Sequence, residues 1–401
     1  MRSEETAEMF SKYVLNAMLF SFYSKLFVLV FFSSNSLVTK MGKPKSHSSK
    51  AKKLARKKNL ANNSPNYNIE ELLEKAGDLL DECQFELAEK FCQRALEMSS
   101  DHPQALEMSA NLLLERGEVE KAQQCLGRAI TVQPDQGHTK YLTAAQIFTG
   151  VESRDLYCKG VELLVAGNAA ISDSAAQLST AYVALSELYM SDLCDAPEAE
   201  SESARYISLA IEADNTNPEA WQAEASFKLI IADVDGAKNS IARSLALWLP
   251  QHTAFLERGE GAETLLSYNS RLGTVKILLD LEMFDEATQI CDALIEEDDE
   301  VVAPWYLLGW LNYLRNDPDY WGNVRHYLAK AKQVQVMSPT DDDQMVQHIE
   351  EILSEVGEED AQTEPSADLS LNEGDHEKAE LIANILDKEK EESDSEENME
   401  S

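Results

Sequence analysis

The sequence predicts an all-α fold of tandem helix pairs, and three observations carry that expectation. The 401 residues are rich in Ala, Leu and Glu, and Gly and Pro are scarce within the periodic stretches. Apolar residues recur three and four positions apart, the spacing that lines one face of a helix, and strand-like alternation is absent. The chain also resembles itself at a period of 34 residues: Leu72, Ala76, Leu79, Phe85, Ala88, Cys92 and Ala95 recur as Leu106, Ala110, Leu113, Val119, Ala122, Leu126 and Ala129. Alanines fall where two antiparallel helices must approach closely, and bulkier residues between them fill the groove.

Charge divides the chain. There are 35 Lys and Arg against 72 Asp and Glu, a formal net charge of −37. Residues 1–69 hold 12 bases and 3 acids, whereas residues 340–401 hold 3 bases and 23 acids. Phosphate binding needs clustered cations, so this balance argues against nucleic acid or a membrane surface as the main partner and favours a basic one. Six cysteines with no CxxC pair are too few for a disulfide scaffold and fit a reducing compartment. The seven histidines form no HExxH or HxxxH pair, so no standard zinc site and no cofactor are expected.

In chain order, residues 1–40 read as an apolar extension. Its run Tyr13–Phe32 is interrupted by Asn16 and Lys25, and Met41 opens the stretch MGKPKSHSSKAKKLARKK. The working protein is therefore expected to begin at Met41. Residues 41–68 read as a basic disordered segment. Within it Lys52, Lys53, Arg56, Lys57 and Lys58 are candidate nuclear-targeting residues, with a solvated basic tail as the bland alternative.

Residues 69–337 carry the array. The first copy spans 69–102, and Pro103 opens the second because proline cannot lie mid-helix. A third copy opens at Pro218 and turns at Asp233-Val234-Asp235-Gly236. A fourth places Phe284, Ala287, Cys291 and Leu294 on its second helix, after a first near Arg271–Leu281. A fifth opens at Val302. Between Gly137 and Asn217 the period loosens but leaves room for two further pairs, giving six or seven units. Residues 338–401 read as an acidic, mostly disordered tail, poor in aromatics. In it, Lys378–Lys390 places Leu381, Ile382, Ile385 and Leu386 at helical spacing. Ser393-Asp394-Ser395-Glu396-Glu397 resembles an acid-directed kinase site.

Motifs for catalysis are missing: there is no GxGxxG, GxxxxGK[ST] or GxSxG. The acids Glu296–Glu300 lack the ligand spacing of an EF-hand and read as a charged turn. His102 and His138 are expected to be solvated in inter-repeat turns, and Cys83, Cys92 and Cys125 to be small core residues. Recognition by a surface remains, not an enzyme. The first-helix positions expected to stay open are Glu70, Leu73 and Asp81; Gln104, Glu107, Asn111 and Glu115; Glu219, Gln222 and Ser226; and Tyr306, Trp310 and Tyr313, with Trp305 assigned to the core. The candidate partner-binding residues are Glu70, Asp81, Glu107, Asn111, Glu115, Gln222, Tyr306, Trp310 and Tyr313. A wall that is acidic at one end and aromatic at the other suits Lys and Arg.

The 34-residue pattern resembles the tetratricopeptide repeat family over Ile69–Val336. That resemblance implies a tetratricopeptide-like helical repeat superhelix, an α-solenoid whose concave groove is lined by each first helix. The Lys, Arg and Asn clamp with which some members capture a C-terminal carboxylate is not matched beyond Asn111. A closer resemblance joins MGKPKSHSSKAKKLARKK, the run Ser244–Pro250 and the run Ala303–Trp310, which contains WYLLGW. Together, on an acidic body with an acidic tail, they look like the dedicated assembly chaperones of ribosomal large-subunit protein four. That family implies capture of a newly made, highly basic ribosomal protein through its long internal loop. It also implies escort from cytoplasm to nucleus, an import receptor as a further partner, and release at the pre-ribosome. The other class of function is a general repeat scaffold bridging proteins, whose contacts would resist salt.

Overall fold

The computed structural model describes residues 67–167, 172–258, 266–338 and 342–357. Among them are fifteen α-helices and no strand. In chain order they alternate as the first and second helices of the repeat and close with a last helix: α1 (Ile69–Asp81), α2 (Phe85–Met98), α3 (Pro103–Glu115), α4 (Val119–Val132), α5 (Thr139–Ile147), α6 (Gly150–Ala166), α7 (Ser172–Met190), α8 (Ala199–Ala213), α9 (Pro218–Ile230), α10 (Val234–Arg258), α11 (Tyr268–Asp280), α12 (Phe284–Glu297), α13 (Val302–Leu314), α14 (Trp321–Met337) and α15 (Asp343–Val356). The apolar extension, the five basic residues Lys52, Lys53, Arg56, Lys57 and Lys58, and the stretch Lys378–Lys390 lie outside the described residues.

Local chemistry starts these helices. Asn68 caps α1 with a reciprocal box: its Oδ1 accepts from the Glu71 N–H at 2.8 Å, and its own N–H donates to Glu71 Oε2 at 3.0 Å. Pro103 and Pro218 open α3 and α9, where a missing N–H leaves nothing unsatisfied. The repeating alanines Ala76, Ala88, Ala95, Ala110, Ala122 and Ala129 are all fully buried, as the period of 34 demands. α10 is one helix from Val234 to Arg258, with Pro250 inside it.

The turn within a pair repeats its backbone geometry. Cys83, Gly117, Ala232, Glu282 and Asn316 all adopt positive φ, between 51° and 72°, two residues before the second helix or its opening 3-10 turn. Gly117 suits that conformation best and Asn316 tolerates it, whereas Cys83, Ala232 and Glu282 adopt it at a steric cost. Cys83 is thus an exposed turn residue and not part of the core, whereas Cys92 is buried as expected. The two histidines expected in solvent are half-buried. His102 caps α3, its Nδ1 accepting from the Ala105 N–H, and His138 Nε2 lies 3.0 Å from Gln177 Oε1.

The chain divides into two compact units, Met1–Ala232 with Gly261–Asn269 and Asp233–Glu260 with Ser270–Ser401. In the first, one core cluster joins Leu72, Leu73 and Ala76 of α1 to Phe91 and Cys92 of α2 and Leu112 of α3. Further along, Tyr206 of α8 stacks between Tyr182 and Tyr189 of α7, with ring centroids 6.1 and 6.0 Å away. In the second unit the Arg271 guanidinium is 1% exposed, 2.9 Å from His252 Nε2 and 2.7 Å from Glu297 Oε2. Burial, with Arg271 beside it, pushes His252 down to about 4, so a neutral imidazole accepts from the guanidinium. The pairing satisfies a cation that would otherwise be costly to bury.

The tail expected to lack order from residue 338 instead begins with α15. Composition pointed to disorder, but Met345, Ile349, Ile352 and Val356 form a buried stripe, and the Asp342 carboxylate accepts from the Met345 N–H at 2.9 Å to cap the helix.

Gly309 marks the closest approach of α13 and α14. A Cβ there would meet Cδ2 of the fully buried Leu328 at 2.3 Å and its backbone N at 3.4 Å. Overpacking therefore outweighs the helix propensity that alanine adds, and Gly309→Ala is expected to destabilise the chain by about 1–2 kcal/mol. Glu282→Gly, which relieves a left-handed turn, is expected to raise the melting temperature. Thermal unfolding of both variants checks the pair; an unchanged Gly309→Ala or a less stable Glu282→Gly would refute this account of the turns and packing.

Candidate partner-binding surface

In the first unit the first helices carry acids on faces that stacking leaves partly open. On α1, Glu70, Glu74, Asp78 and Asp81 are exposed and recur at helical spacing, so they share one face. On α3, Asn111 is exposed and Glu107 and Glu115 are half-buried, each one turn from Asn111 along one stripe. Burial raises the pKa of the Glu115 carboxyl, and no cation offsets it. Burial also raises Glu107, against the pull of Lys140 and His138.

Lys140 is a surprise for so acidic a chain. Its side chain is wholly buried, its Nζ donates to the Gln136 carbonyl and lies over the Tyr141 ring, and the Glu107 carboxylate is 3.9 Å away. Glu107 is therefore engaged from within. Leu73, expected to be open, is 2% exposed and belongs to the core. Gln222, on α9, is 8% exposed and is likewise covered.

The strongest acid signal comes from a residue the sequence reading missed. Glu187, on α7, is exposed, but protein atoms crowd around it. That crowding, with Glu219 of α9 nearby, pushes its carboxyl up to about 7. The loose period between Gly137 and Asn217 hid it. An acid within the otherwise small and apolar run of α7 was the one available clue.

In the second unit the expected aromatic wall exists but is largely covered. Tyr306 is 8% exposed and its hydroxyl is 2.7 Å from His348 Nδ1 on α15. Trp310 is half-buried, stacked on Tyr306 at 5.8 Å and met edge-on by His348 at 5.5 Å. The Tyr313 hydroxyl donates to Glu355 of α15. The three aromatics thus form the seat of α15, a helix that the acidic composition of the tail concealed. Trp305, expected in the core, is half-exposed instead. Its indole N–H donates to the Asp299 carbonyl at 3.0 Å, and Lys330 lies over its ring. The same unit holds the half-buried Asp292, pushed up to about 6 by burial with Glu296 adding to the shift.

Among the described residues no group of His, Cys, Asp and Glu is placed to hold a metal ion, and no helix is long and apolar enough to cross a membrane. What the arrangement offers is Glu115, raised by burial, and Glu187, raised by crowding and by Glu219, carboxyls that a positive group would favour in their ionised form.

The chain is similar to known repeat proteins. The tetratricopeptide repeat family model matches residues 79–145. A probable assembly chaperone of rpl4 from Schizosaccharomyces pombe is 31% identical over 270 residues, covering 62% of this chain and 79% of that protein. A second, from Emericella nidulans, is 28% identical over 294 residues, covering 67% of this chain and 73% of that protein. Among solved structures, residues 1–338 of the assembly chaperone of RpL4, Acl4, align with a TM-score of 0.56 at 27% identity, covering 62% of this chain and 97% of that one.

Glu187 yields a stability test. An unfolded glutamate ionises near its ordinary value of 4.5, whereas the folded group resists until about 7. Below pH 4.5 both are protonated and the residue is neutral to folding. As pH rises through that window the unfolded chain gains by ionising, so native stability falls, and the full penalty stands above pH 7. Glu187→Gln should therefore match the parent in denaturant unfolding near pH 4.5 and exceed it at pH 8. A gap that fails to widen with pH would show that Glu187 ionises as an ordinary surface carboxyl.

Proposed function

The chain belongs to the family of assembly chaperones of Rpl4, and from that premise we propose that it holds one newly made, highly basic protein of the large ribosomal subunit, the fourth. The client is bound through its internal loop against the acidic first-helix faces of the first unit. The observation that carries this reading is the pair of raised carboxyls at Glu115 and Glu187. Each would be relieved by an arginine or lysine from the client, so the energy stored in their crowding is returned on binding.

The physics of the client completes the reading. A cationic loop destined for ribosomal RNA binds polyanions indiscriminately, or aggregates, until it is placed. Carboxylates on a repeat scaffold stand in for the phosphates and keep it soluble. Their charge is less dense than that of RNA, so RNA at the pre-ribosome can take the client over. The basic stretch around Lys52–Lys58 suits an import receptor, and the proposed route runs from cytoplasm to nucleus.

Such binding is strongly electrostatic, so it should weaken steeply with salt. Combining Glu115→Lys with Glu187→Lys should cost about tenfold or more in affinity for the ribosomal protein at low salt, and less at high salt. Titration calorimetry with the purified client reads this, and it should also record proton release near pH 6.5 as Glu187 ionises on binding. Unaltered affinity in the double variant would exclude this surface. If co-purification from cells followed by mass spectrometry recovered no basic large-subunit protein, the functional reading itself would fall.

A further inference from the structure

Of the two acids on the α3 stripe, Glu107 has a cation behind it. The turn that leads into α5 is folded around the ammonium group of Lys140, whose side chain is wholly buried. Nζ donates to the Gln136 carbonyl, and the next residue, Gly137, adopts φ 73°. A Cβ on Gly137 would crowd Nζ at 3.2 Å, with Glu107 Oε1 3.8 Å away, so the turn leaves room for the ammonium group and the carboxylate alone. Tyr141 fastens the same turn, its hydroxyl donating to the Pro134 carbonyl at 2.8 Å while Nζ lies 5.7 Å from the centre of its ring.

The distance shows what kind of pairing this is. Arg271, also fully buried, touches its acid, with Glu297 Oε2 2.7 Å away. Lys140 Nζ stops 3.9 Å short of Glu107 Oε1, and the Glu107 side chain keeps 22% of its surface open. Glu107 therefore meets a cation on its inner side and water on its outer side. A lysine or arginine arriving from outside is drawn by the carboxylate and repelled by the ammonium group close behind it, and poor solvation strengthens both effects. An apolar side chain of the same length would fill the space of Lys140 without the cost of burying a charge.

We propose that Lys140 is an internal competitor of the client: it takes up the Glu107 charge from inside and keeps that position of α3 from gripping the client's cations, which leaves the grip to Glu115. This inference rests on the first-helix faces of the first unit being the client's seat. A surface that must yield its client to RNA gains from such a limit, because each further charge pair with the client slows dissociation.

Titration calorimetry with the purified fourth large-subunit protein tests this on three full-length chains: the parent, Lys140→Met, and Lys140→Met combined with Glu107→Gln. Lys140→Met should bind about tenfold more tightly than the parent at low salt, with the gain shrinking at high salt as a new charge pair demands. The double variant, which lacks both charges, should bind as the parent does. Affinity of Lys140→Met equal to or below the parent's overturns the proposal. So does a gain that survives in the double variant, since it would not come from Glu107. If Lys140→Met fails to fold, the double variant, in which no charge is stranded, decides alone. Binding equal to the parent's supports the proposal, and weaker binding shows that Glu107 already grips the client and that Lys140 restrains nothing. A parent chain that binds no ribosomal protein brings down the underlying reading and this inference with it.

Discussion

A first helix of this array is finished only by the helix that follows it. Its apolar and small faces are covered on one side by its partner and on the other by the next first helix. Leu73 of α1 belongs to one core cluster with Leu112 of α3, Lys140 of α5 sits against Glu107 of α3, and His348 of α15 closes over Tyr306 of α13. Without that cover each pair would leave an apolar face in water, which is why such folds come as arrays and end in a helix with a polar outer side. α15 meets the requirement. Met345, Ile349, Ile352 and Val356 face inward, while Asp343, Glu350, Glu351 and Glu355 face water.

The same stacking fixes where charge can accumulate. Once the covered positions are taken, the first helices present the intervening polar side chains, and on α1 the exposed ones are all acids, Glu70, Glu71, Glu74, Asp78 and Asp81. Glu115 is half-buried where water solvates it poorly, and Glu187 is raised by the protein around it and by Glu219. The folded chain bears that cost alone and is relieved of it in complex, the usual compromise between stability and a working surface.

Much of this was legible beforehand. The buried alanines, the prolines at helix starts and the opening of the fifth unit at Val302 follow from the 34-residue period, because close helix approach admits few residue types. The faces were less legible. On α13, Trp305 and Tyr306 are adjacent, and deciding which one is buried requires knowing that another helix follows. That helix was obscured because α15 carries its apolar stripe within a strongly acidic stretch, and composition outweighed periodicity in the reading. Glu187 was lost for a different reason. α7 is longer than the repeat allows, so no register could be carried to it from neighbouring copies. Cys83 shows a third limit, since left-handed turn geometry leaves no mark when the residue is not glycine.

Lys140 sets a condition on how this surface can be dissected. It is a cation with no access to water, held by one backbone carbonyl, an aromatic ring and the carboxylate of Glu107. Truncating Glu107 would strand that ammonium group inside the protein, a change that damages folding whether or not Glu107 ever meets a client. Loss of activity on altering Glu107 would thus be ambiguous, while Asn111, one turn further along the same stripe and open to solvent, can be altered without disturbing anything buried.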